Sequence, residues 1–301
     1  MSTFSSAIIT PSYAPDFERC RLLSWSIEQF VTPLATHYII VPAKDLSLFN
    51  QLKKSNTEII TVESILPWWV QRLPIVKNGW LNFKTGFVRN WLLQQVVKLA
   101  APEQVSEDIL VYIDSDVSFI KPMNLESFVE GDRVRLLHIP DQSTLESSSQ
   151  FPLQEKWLNA TDRLLGLPPT PLPKPGYVGQ IITWRRDNAL KLHRHLEEVS
   201  GRGWVEAICN SWHLSEYLLY GTFVDRVLQQ QSGHFYDTEG ICHEYWGDQP
   251  LSDEQLQKFL LEMPPRAKAI MISAKANISP ERYASFVKSS QTDKSSEFKS
   301  S

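Results

Sequence analysis

Through its first 140 residues the chain alternates short unbroken apolar runs with longer segments of helical periodicity. Ala7-Ile8-Ile9, His37–Val41, Ile59–Val62, Ile109–Ile113 and Val134–Ile139 read as strands. Between them Phe17, Cys20, Leu23, Ile27 and Phe30 recur at helical spacing, and Val88, Trp91, Leu92, Val96 and Leu99 mark a helix over 85–100. A strand apolar on both faces must be covered on both, so the pattern predicts an α/β fold: a mostly parallel central sheet with helices on both faces. Ligands of such sheets bind beyond the carboxyl ends of the strands. Thr10-Pro11-Ser12-Tyr13 and Asp114-Ser115-Asp116 both lie there.

The second half is less regular. Residues 141–175 combine a polar stretch, a helical segment (Leu153–Leu167) and the proline-rich PPTPLPKP, and read as an insertion or flap. A strand at Gly179–Trp184 and helical patterns at Asp187–Val199 and Trp204–Leu219 follow. The 289–301 tail is poor in apolar residues and is expected to be disordered. A single domain over 1–288 is the expectation. With 42% hydrophobic and 21% charged residues the composition is that of an ordinary globular protein, and a net charge of −4 gives no reason to expect nucleic acid or an acidic membrane surface as partner. Three scattered cysteines, no leader-like N-terminus and no run long enough for a membrane span point to a cytoplasmic protein.

The two acids at the end of Ile109–Ile113 carry the chemistry. On a regular strand, side chains two apart point to opposite faces, but where the chain bends Asp114 and Asp116 can both reach one divalent cation. Mg²⁺ or Mn²⁺ suits such oxygen donors and shares its shell with phosphate. The same residues could instead form an Asx-turn, bonding only backbone N–H groups. Glu216 sits among aromatic and apolar neighbours, where burial raises a carboxyl pKa and suits it to general-base work. A helix capped by Ser215 accounts for it equally well.

The strand-end Asp-x-Asp, about a hundred residues after a first strand and a Thr-Pro-Ser-Tyr loop, resembles nucleotide-sugar glycosyltransferases of the GT-A fold, near a group of bacterial proteins of unknown function. The resemblance is carried by Ile8–Tyr13, Lys84–Arg89 and Tyr112–Asp116. It implies a GT-A-like enzyme moving a sugar from a nucleotide-diphosphate donor to a glycan or other hydroxyl acceptor with Mn²⁺ or Mg²⁺. Thr10, Ser12 and Tyr13 would line the nucleoside site, although a loop tyrosine also serves simple packing. Lys84 and Arg89 would approach the phosphates, or else be surface charges on an amphipathic helix. Asp114 would face the diphosphate and, with Asp116, the metal; His243 would be a further ligand or a core histidine. A haloacid-dehalogenase-like phosphatase, with Asp114 as nucleophile, is a second class. Its pattern wants Thr or Val two residues after the second Asp, where Ser118 stands, and a motif near the N-terminus. A non-catalytic nucleotide-sugar-binding module is the third.

Overall fold

In the computed structural model, residues 4–73, 79–140, 151–169 and 175–290 are described. Four strands, β1 (Ser6–Pro11), β2 (Thr36–Val41), β3 (Thr57–Thr61) and β4 (Ile109–Ile113), are mutually parallel. A fifth, β5 (Ile181–Arg185), closes the edge beside β4 and runs antiparallel to it, giving the order β5-β4-β1-β2-β3.

The continuous apolar runs are explained by which way each residue points. Ile8, Val111 and Ile113 pack on one face with Leu23 and Ile27 of α1 (Phe17–Phe30). Ala7, Ile9, Leu110 and Tyr112 pack on the other. Their partners there come from α2 (Asn90–Ala100), α3 (Arg186–Ser200) and α4 (Glu216–Thr222). Polar residues buried in the sheet have partners, Thr10 with His37 and Thr183 with the Arg135 carbonyl.

Two expectations need correction. Arg133–Leu137 forms a strand outside the central sheet, pairing in parallel with His234–Asp237. Its Arg135 is buried and needs a carboxylate, which Asp237 on the neighbouring strand supplies at 2.7 Å. The helix expected from residue 85 starts at Asn90. Gly86 has φ +93°, outside helical space, and Asn82 Oδ1 accepts the N–H groups of Lys84 and Thr85. Residues 80–88 thus become the hairpin Trp80–Asn82 and Gly86–Val88, with Val70–Arg72 as its third strand.

The helix read at Leu153–Leu167 spans Phe151–Leu164. Much of the rest of the proposed flap, 141–150 and 170–174, lies outside the described residues, as does the tail from 291. A further sheet, not foreseen, sets Ala269–Ile272 between Cys242–Tyr245 and Val117–Phe119. Among the described residues no helix is long and apolar enough to cross a membrane.

Candidate functional site

β4 leaves the sheet at Ile113, and the chain turns at once: the Val117 N–H donates to the Asp114 carbonyl at 3.2 Å. It then re-enters structure as Val117–Phe119, edge partner of Ala269–Ile272. The two aspartates therefore occupy the crossing between two sheets, at the carboxyl end of the first.

Each has different company. The Asp114 carboxylate lies 2.9 Å from the ammonium of Lys98, which α2 delivers from its last turn. Lys98 is 5% exposed, and its Nζ also reaches Glu216 Oε1 at 2.9 Å and the Tyr217 hydroxyl at 2.9 Å. An ammonium has three donors, and three acceptors surround this one. Burial opposes the charge, yet Asp114, Glu216 and Tyr217 together hold the Lys98 pKa well above its ordinary value. Gln95, one turn earlier on α2, accepts the Glu216 N–H at 3.1 Å, so two side chains of α2 fix the start of α4. The Tyr112 hydroxyl donates to the Lys98 carbonyl at 2.9 Å and ties α2 to β4.

Among the described residues Asp116 has no such cation. Its Oδ2 accepts the Ala274 N–H at 3.2 Å. Burial first, then the negative charge of Asp114, pushes its pKa from 3.8 up to about 7, and Asp16 adds to the same effect. Asp16 itself is raised by burial against the pull of Arg19, 3.3 Å away. Three carboxylates thus lie within electrostatic reach of one another.

Ser12 and Tyr13 follow β1 into a cleft that also takes in Pro42, Lys44, Arg72, Trp80, Asn90 and Gln94. The loop is tied at both ends: Ser12 N–H to the Ile40 carbonyl at 2.9 Å, and Ala14 N–H to Asp45 at 3.0 Å. Asp45 stands at a helix N-cap position, but its side chain makes this contact and no cap bond.

The other sequence-marked residues fall elsewhere. Thr10 is fully buried, its hydroxyl 2.9 Å from His37 Nε2; burial lowers His37 to about 3 and keeps that imidazole neutral. Thr10 is therefore core beneath the cleft. Lys84 sits in the 80–88 hairpin, 3.1 Å from Glu206 and over the Trp69 ring. Arg89 lies over Trp212 and donates to its carbonyl. Neither is brought to the aspartates. His243 stacks on Phe259 at 4.2 Å and bonds its carbonyl at 3.1 Å. It does not join Asp114 and Asp116: among the described residues no group of three or more His, Cys, Asp or Glu side chains is placed to hold a metal ion. Glu216 is where a partly dry carboxylate was expected, but it is 2% exposed and bound to Lys98.

Lys98, Asp16, Lys44 and Arg72 went unmarked in the sequence. For Lys98 a signal was there: a lone charge inside Val96-Val97-Lys98-Leu99-Ala100, on a helix otherwise apolar at that end. A lysine so placed needs an acid, and the nearest strand end holds two. No curated protein matches the chain. Residues 5–261 match the model of a family of unknown function, DUF6492, and the chain belongs to that family.

Proposed function

We propose that this protein is a glycosyltransferase that takes a sugar from a nucleoside-diphosphate donor and passes it to a hydroxyl acceptor. The observation that carries the reading is Asp116: a carboxylate within electrostatic reach of a second one, its charge opposed by burial, and held by backbone N–H rather than by a cation among the described residues. A divalent cation would relieve that arrangement. Two carboxylates from the protein, with phosphate oxygens and water completing the shell, is an ordinary donor set for Mg²⁺ or Mn²⁺. When bound, such an ion neutralises charge on a departing diphosphate.

The chain's own residues divide the remaining work. Ser12 and Tyr13 line the cleft at the end of β1 and suit the nucleoside, while Lys44 and Arg72 on the same cleft suit phosphate oxygens. Lys98 steadies Asp114 and carries no open face for substrate. Glu216 holds Lys98 and is a positioning residue. Lys84 and Arg89 do not line that cleft and are given no part in donor binding.

A thermal-shift series with nucleoside diphosphates and sugar nucleotides, with and without Mn²⁺, tests this. Saturating nucleotide with Mn²⁺ is expected to raise Tm by roughly 5 °C or more, beyond either alone. Asp116→Asn is expected to lose the Mn²⁺-dependent part. An unchanged Mn²⁺ requirement in that variant rejects the metal assignment. Phosphate release from simple monoesters, lost in Asp114→Asn, would identify a phosphatase instead. Tight nucleotide-sugar binding without turnover would identify a binding module.

A further inference from the structure

Among the described residues, the outer face of the sheet formed by Val70–Arg72, Trp80–Asn82 and Gly86–Val88 is exposed and carries aromatic side chains. Gln71, Leu81 and Phe87 stand opposite one another in register on it, and Phe83, bonded through its N–H to the Trp69 carbonyl, extends the row. Phe83 is 62% exposed, Phe87 53% and Trp212, reached through Arg89, 62%. The opposite face, with Val70, Trp80 and Val88, is buried in the core. An alternation with both sides apolar and only one covered leaves a surface that water disfavours.

Cations rim it. Arg89 lies 4.3 Å above the Trp212 ring. Burial first, then Lys156 and Arg89, lowers the pKa of His213, so each of the two cations lies within electrostatic reach of that ring. The helix bearing Lys156 is anchored by Trp157, stacked on Trp91 of α2 at 5.6 Å. Lys84 is already paired with Glu206 and adds little net charge.

We infer that this face, Phe83, Phe87 and Trp212 with Arg89 and Lys156, docks the protein on the surface of a membrane containing anionic lipid. Exposed phenylalanines bring no group to bond sugar hydroxyls, whereas they gain by entering the acyl boundary, with indole at the headgroup level. Arg89 and Lys156 are complementary to lipid phosphates. The overall charge of −4 points the other way, but binding at a surface reads the charge within a Debye length of the patch. The inference needs neither nucleotide nor metal, so it stands apart from the transferase reading.

Co-sedimentation of the full chain with phosphatidylcholine vesicles, with and without phosphatidylglycerol, tests it. Binding is expected on the anionic vesicles and should weaken as salt is raised. Phe87→Ser with Trp212→Ser is expected to lower partitioning at least about tenfold, from the loss of two apolar side chains. Lys156→Glu, at an exposed helical position, should lower it about fivefold or more on anionic vesicles and leave neutral ones unaffected. This second variant keeps the test decisive if the double one does not fold. Equal binding to neutral vesicles, no binding, or variants that bind like wild type would overturn the inference. So would retention on immobilised polysaccharide, lost in the double variant, without vesicle binding.

Discussion

Lys98 carries a charge into a place that water does not reach, and each of its three hydrogens meets an oxygen of Asp114, Glu216 or Tyr217. Removing one member of a buried ion pair strands the others, at a cost of about 3–5 kcal/mol. Lys98→Met is therefore expected to lower unfolding free energy by about that amount in denaturant titration, since buried Glu216 loses the ammonium that pairs it. Lys98→Met with Glu216→Met should recover much of it. Asp116 makes a different prediction. Its pKa is raised from 3.8 to about 7, so the folded protein favours the protonated form. That contribution to stability is complete below pH 3.8 and is lost as pH rises through about 7. A cation needs the carboxylate, so Mn²⁺ should stabilise the protein increasingly over the same rise. Tm measured against pH, with and without Mn²⁺, checks both, and Asp116→Asn should flatten both.

At the scale of elements, α4 is short, and Gly221 shows what holds it. A Cβ built there falls 2.1 Å from Tyr177 Cγ, and Tyr177 is buried. Alanine favours a helix over glycine by about 1 kcal/mol, but the overlap with a ring locked in the core costs about 1–3 kcal/mol. Gly221→Ala is thus expected to destabilise by about 1 kcal/mol, read from the denaturation midpoint. Gly179 is a packing glycine too, since a Cβ there meets Leu137 at 2.7 Å. The Ser215 cap of α4 was legible in the sequence, and its hydroxyl does accept the Leu218 N–H. So were β1, β2 and β4, because residues buried on both faces leave unbroken apolar runs. The start of α2 was not legible: Val88 fits a helical face and a strand equally, and only the φ of Gly86 separates them. Nor was the fate of His243, whose ring is claimed by Phe259, sixteen residues away in sequence.

For the whole molecule, the family match stops at residue 261 but the core does not. Ala269–Ile272 is the middle strand of its sheet, with Ala269, Ile270, Met271 and Ile272 each 1% exposed or less, and Ala274 beyond it meets Asp116. Three large side chains at about 1.5–3 kcal/mol apiece rival the entire 5–15 kcal/mol net stability of a domain. A chain ending at Leu261 is expected to show no cooperative transition in calorimetry; a sharp transition near that of the full chain would make the last strand dispensable. The same closure has a consequence for control in the cell. Surface lysines are open to acetylation, which erases their charge. Lys98 is walled in and bound at every hydrogen, so an acyl donor meets neither a free amine nor a path to one. The charge at the centre of the site is thereby placed beyond the reach of that modification for as long as the protein stays folded.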